Sequence, residues 1–141
     1  MRVTLDTNIV VSGMFWRGVS SKILDLVMQK KIIAVASPEI VKEYIDIVTS
    51  DEIIAKTDEL QQARLEAFHT LISCMETIEP HDTQRIVPDD EDDDKFLHCA
   101  HEGHCDYVIT QDKHLLRIKQ YENIKIATPQ EVLDKITSTT E

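Results

Sequence analysis

Asp106–Asp112 reads DYVITQD, a short run rich in β-branched and aromatic residues that ends on an acid. A run this brief, apolar at its centre and polar at both ends, predicts a buried strand. Just upstream, Phe96, Leu97, Cys99 and Ala100 fall at helical spacing. Just downstream, Asn123–Ala127 (NIKIA) predicts a second strand. Thr128-Pro129-Gln130-Glu131 is then a capping box with Pro inside it, opening a last helix through Val132, Leu133 and Ile136.

The first half of the chain repeats this alternation. Arg2–Asp6 (RVTLD) is another β-branched run ending in an acid, and Ser20–Lys31 carries a helical stripe of Ile23, Leu24, Leu26, Val27 and Met28. Ile32–Ala36 reads as a strand. Ser37-Pro38 announces a helix, with Ser as N-cap and Pro at the first helical position. Ile40, Val41, Tyr44, Ile45 and Val48 give that helix its apolar side. A further helix from about Asp58 places Leu60, Ala67, Phe68, Leu71, Ile72 and Met75 on one face, and Thr77–Glu79 reads as a short strand. Short buried strands alternating with helices predict an α/β fold: one domain over residues 1–136, a central, mostly parallel β-sheet flanked by helices, and a flexible C-terminal tail over 137–141.

The composition narrows the chemistry. With 141 residues and 42% hydrophobic content the chain can bury a core, which argues against disorder. Fifteen Lys and Arg against 26 Asp and Glu leave a formal charge of −11, too acidic to hold nucleic acid by surface charge alone. Gly13, Gly18 and Gly103 are too scattered for a dinucleotide-binding turn or a P-loop. Three cysteines, without a C-x-x-C, argue against a disulfide framework and for a reducing, cytoplasmic setting. No segment has the ~18 uninterrupted apolar residues of a membrane span.

In parallel sheets, ligands bind beyond the carboxyl ends of the strands. Asp6 and Asp112 both come after predicted strands there, and Asp90–Asp94 precede the second of them. Each has an ordinary reading: Asp6 a turn residue, Asp112 the cap of a short helix, and the acidic run a solvated loop. Converging carboxylates raise one another's pKa, a penalty that a hard divalent cation such as Mg²⁺ removes. The run is not an EF-hand. A loop starting at Asp90 would put Lys95 where Gly is required and His101 where the bidentate Glu belongs.

Leu5-Asp6-Thr7-Asn8-Ile9, Ser37-Pro38-Glu39 with Glu43-Tyr44, and Asp93-Asp94-Lys95-Phe96-Leu97 with Asp106–Asp112 together resemble the PIN-domain family, closest to its branch of toxins from toxin–antitoxin systems. The resemblance runs from Arg2 to about Ile136, in the family's order and spacing. It implies an endoribonuclease that cleaves RNA phosphodiesters with Mg²⁺ or Mn²⁺, an antitoxin protein as partner, and a homodimer. It also implies four acids that serve catalysis and metal binding: Asp6, Glu43, Asp93 and Asp112. The third lies seven residues before a small residue in the family. Ala100 is that residue here and selects Asp93, with Asp94 as the alternative register. Asn8 and Thr110 resemble supporting polar residues that orient the acids, and Gln111 stands where the family often has Gly.

Other readings stay open on the sequence alone. A PIN-like module could bind metal or RNA and regulate without cutting. His98, His101 and Cys105 lie near one helical face and could hold zinc, although Cys99 belongs to the apolar pattern and Gly103 interrupts the face. Trp16-Arg17, expected in a loop after the first strand, could stack a base, while Met14, Phe15 and Trp16 could equally cover the core or form a dimer patch.

Overall fold

Ser37 caps its helix as the Ser-Pro pair predicts: its Oγ accepts the Ile40 N–H at 3.2 Å, and Pro38 occupies the first turn. The computed structural model describes residues 1–50, 61–79 and 91–139, with the side chains of 61–64, 91–94 and 139 outside that description. The expected start of a helix at Asp58 and Leu60, and the acidic loop as far as Asp90, lie outside the described residues.

Six strands form one sheet: β1 (Arg2–Leu5), β2 (Ile33–Ala36), β3 (Glu76–Thr77), β4 (Tyr107–Ile109), β5 (Gln120–Tyr121) and β6 (Ile124–Ala127). Their spatial order is β3-β2-β1-β4-β6-β5, parallel except for β5, which runs antiparallel to β6. Seven helices flank it among the described residues: α1 (Thr7–Phe15), α2 (Val19–Met28), α3 (Pro38–Val48), α4 (Gln61–Cys74), α5 (Glu91–Glu102), α6 (Lys113–Leu116) and α7 (Pro129–Thr139). None of the described helices is long and apolar enough to cross a membrane.

Several boundaries differ from the sequence reading, and three of them have an instructive cause. The stretch after β1 is a helix, not a loop. Ile9, Val10, Val11 and Phe15 of α1 are all buried, since α2 and α3 pack against it, so only a narrow polar strip at Asn8 and Ser12 is left and the segment shows no clear helical period. The third strand is Glu76–Thr77, one residue earlier than expected, where its parallel pairing puts Glu76 beside Val35. The last helix continues past Ile136 to Thr139, because Thr137 Oγ1 donates to Leu133 O at 2.9 Å and Ser138 Oγ to Lys135 O at 2.9 Å. Residues 140 and 141 of the expected tail lie outside the described residues.

Side-chain alternation divides β1 between two layers. Thr4 is fully buried against α5, its Oγ1 3.4 Å from Cys105 Sγ and 4.0 Å from Cys99 Sγ, whereas Val3 and Leu5 face the opposite layer. Gly13 sets the spacing of α1 and α2. A Cβ there would lie 2.6 Å from Leu24 Cδ1 and 2.9 Å from Ser20 O, so only a glycine lets the helices approach this closely. That approach carries Ser20 to the mouth of a cleft beside Asp112.

Candidate metal centre

β1 and β4 are neighbours in register, so the residues that leave the two strands emerge at the same edge of the sheet. Asp6 comes directly after Leu5. Its backbone N–H donates to Ile109 O at 3.0 Å, which locks the end of β1 to the end of β4. Asp6 then starts α1 as N-cap, although its side chain makes no capping bond of its own. The carboxylate turns instead toward Thr110, whose Oγ1 donates to Asp6 Oδ2 at 2.7 Å. The same Oγ1 accepts the Asp112 backbone N–H at 2.9 Å. One buried hydroxyl thus ties both acids together across the two strands.

Asp6 is 6% exposed, and among the described residues it has no Lys, Arg or His partner. Burial pushes its carboxyl above the ordinary range. Thr110 and the Thr7 and Asn8 backbone amides oppose that shift, while the charge of Asp112 adds to it. Asp112 is half-buried and caps α6, its Oδ1 accepting the His114 N–H at 2.8 Å. The capping role that sequence alone allowed is therefore real, and it coexists with a place beside Asp6.

Glu43 lies on α3, one residue before Tyr44. Tyr44 is fully buried and its hydroxyl donates to Leu5 O, the carbonyl just ahead of Asp6. Burial pushes the phenol well above its ordinary value, with Cys99, Asp6 and Glu43 adding to the shift, so both acids press on the same ring. Glu43 itself is engaged on both oxygens: Oε2 accepts from Thr7 Oγ1, and Oε1 lies 2.5 Å from Lys95 Nζ. Beside Asp112 a cleft of about 310 Å³ opens, lined by Asn8, Ile9, Ser12, Ser20, Gln111 and Asp112. Exposed Asn8 stands at its edge, while Thr110 works from beneath as a buried strut.

The donor set fits a hard divalent cation: carboxylate oxygens, one of them buried and lacking a positive partner among the described residues, at the carboxyl edge of a parallel sheet. Among the described residues no three His, Cys, Asp or Glu side chains converge on a single point. Asp93 and Asp94 belong to the first turn of α5, but their side chains lie outside the described residues.

The PIN domain family profile matches residues 2–114. The chain belongs to the PIN-domain family. PIN domains are generally nucleases, and they generally use divalent metals. An uncharacterized protein of Methanocaldococcus jannaschii, MJ1680, is 29% identical over 144 residues, covering 96% of this chain and 91% of that protein. The crystal structure of VapBC2 from Rickettsia felis, bound to a DNA fragment from their promoter, matches with a TM-score of 0.57. At 18% identity it covers 89% of this chain and 97% of that chain, a likeness of fold.

Sequence reasoning missed four residues of this candidate site: Thr7 and Lys95, which hold Glu43, and Ser12 and Ser20, which line the cleft. Lys95 sits beside the acidic run, and its charge among so many acids was the available signal. Among the described residues no His and Cys side chains gather as the zinc alternative requires. His101 Nδ1 lies 3.0 Å from Glu122 Oε2 and its ring meets Tyr121 edge-on, whereas Cys105 points at Thr4 in the core. Trp16 ends α1 and is 54% exposed, its ring edge against buried Phe15, with centroids 6.2 Å apart.

Proposed function

We propose that this PIN domain is a metal-dependent endoribonuclease and the toxin of a toxin–antitoxin pair. The observation that carries the reading is the buried Asp6 carboxylate, which lacks a cationic partner among the described residues and is linked through Thr110 to Asp112. Asp6 and Asp112, with Asp93 or Asp94 from α5, would hold Mg²⁺ or Mn²⁺. When bound, such a cation acts as Lewis acid toward a phosphodiester and makes water a better nucleophile. It also supplies the positive charge that a chain of net −11 lacks for an RNA substrate.

The remaining work falls to the chain. Thr110 keeps Asp6 Oδ2 oriented and fixes the backbone of Asp112, so the two carboxylates are placed before substrate arrives. Asn8, Ser12, Ser20 and Gln111 line the cleft with amides and hydroxyls, neutral donors and acceptors suited to ribose and phosphate oxygens. The reading of an antitoxin protein as partner is supported by the family and by the fold shared with the VapBC2 complex, while the homodimer rests on the sequence resemblance alone.

The test is cleavage of a structured RNA by the purified protein with Mg²⁺, with Mn²⁺ and with chelator, beside Asp6→Asn and Asp112→Asn. Metal-dependent cutting that both variants lose supports the assignment. Metal binding without cutting favours a regulatory module. Neither cutting nor metal binding removes the acids from consideration as a metal centre. Co-purification with the product of the adjacent gene tests the antitoxin.

A further inference from the structure

Glu43 and Asp6 share a neighbourhood, yet they meet opposite electrostatic fates. Asp6 is buried and has no cation among the described residues. Glu43 already has one. The Lys95 side chain is only 10% exposed and the Glu43 side chain 30%, with Nζ and Oε1 2.5 Å apart. An ammonium this deeply placed requires an anion, and a charge-assisted contact of this length is among the strong ones. The other Glu43 oxygen is taken by Thr7, the residue next to Asp6. Lys95 lies in the first part of α5, immediately after Asp93 and Asp94, and reaches from there to α3.

Two-metal nucleases hold their ions ~3.5–4 Å apart and need carboxylates free to ligate both. Here Glu43, one of the four acids that the resemblance assigns to metal binding, is neutralised from within the chain. We propose that the Lys95 ammonium stands in the second cation position, so that the chain binds one divalent ion, with Glu43 the partner of Lys95 and not a metal ligand. The inference rests on reading Asp6 and Asp112 as a metal centre. It adds the number of ions and a positioning role for Lys95: a fixed positive charge on the Glu43 side that keeps that carboxylate away from the metal.

Electron paramagnetic resonance of Mn²⁺ titrated into the purified full chain counts bound ions without relying on activity. The parent takes up one equivalent. Lys95→Met takes up two, with the exchange-coupled signal of ions about 4 Å apart. Lys95→Met combined with Glu43→Gln returns to one, and Lys95→Arg, which keeps the charge, stays at one. Two equivalents in the parent, or one in folded Lys95→Met, overturn the inference and leave the metal centre standing. No bound Mn²⁺ in the parent removes the metal centre and the inference with it. Should Lys95→Met not fold, Glu43→Gln decides: one equivalent retained supports the inference, and loss of that ion makes Glu43 a ligand and overturns it.

Discussion

Thr110→Val replaces one branched side chain by another of nearly the same shape and removes only the hydroxyl. Thr110 is fully buried, so no water can take over its bonds. Two interactions disappear. The first is the 2.7 Å bond to the Asp6 carboxylate, a hydrogen bond to a charged group, worth about 1.5–3 kcal/mol. The second is the 2.9 Å acceptance of the Asp112 N–H. An orphaned buried donor costs about 1–3 kcal/mol, and the lower end applies because Asp112 is partly exposed. The sum is a loss of about 2–4 kcal/mol, measurable by urea unfolding at pH 7 with an unchanged slope. The loss shrinks in acid. Thr110 lowers the Asp6 pKa, so its removal raises that pKa further, and the penalty fades as pH falls and Asp6 protonates. Thr110→Ser, which keeps the hydroxyl, stays close to the parent in its pH dependence. A loss in Thr110→Val below about 0.5 kcal/mol, the scale of an ordinary surface change, or one that does not shrink as pH falls through the range in which Asp6 protonates, would refute the strut.

Asp6→Asn stabilises the metal-free protein at neutral pH, because it removes a charge that burial opposes. The folded-state pKa of Asp6 is raised, so Asp6 contributes most to parent stability below its ordinary value of 3.8, and that contribution is lost as pH rises through the folded value. The variant's advantage is therefore greatest near pH 7 and closes in acid. Metal reverses the ranking: at a hundredfold excess over Kd the parent gains about 2.7 kcal/mol and Asp6→Asn gains none, as thermal shift will show. Gly13→Ala destabilises by about 1–2 kcal/mol, overpacking against Leu24 being partly offset by the stiffer unfolded chain; denaturant unfolding checks it. Cys99, whose thiol burial pushes up to about 12, and Cys105, also buried, resist iodoacetamide at pH 8 in the folded protein, while half-buried Cys74 reacts first, as peptide mapping will show.

What the sequence made readable were features written locally. RVTLD ends in Asp6 at the edge of β1, Ser37-Pro38 caps α3, and the Thr110–Asp112 step turns out of β4. Each depends on neighbours within a few positions, and so does the alternation that predicted the sheet. α1 escaped because burial on several sides erased its period. β5 escaped because a strand of two residues, Gln120–Tyr121, has no pattern to show. Glu43 lies off the apolar stripe of α3, where periodicity assigns a residue to solvent. Only the resemblance selected it, and the reason it is half-buried is a lysine from a different helix. Contacts of that kind leave no trace in local spacing, since they are set by where the finished elements meet.

The place of β1 also governs when the candidate metal centre can assemble. β1 is synthesised first, yet it lies at the middle of the sheet, and its partner β4 arrives late: the bond from Thr110 to Asp6 spans 104 residues. Until β4 emerges from the ribosome, Asp6 has neither its hydroxyl strut nor Asp112 beside it. A nascent chain at that stage therefore carries Asp6 but not the assembled centre. Topology alone defers that assembly until most of the protein has been made.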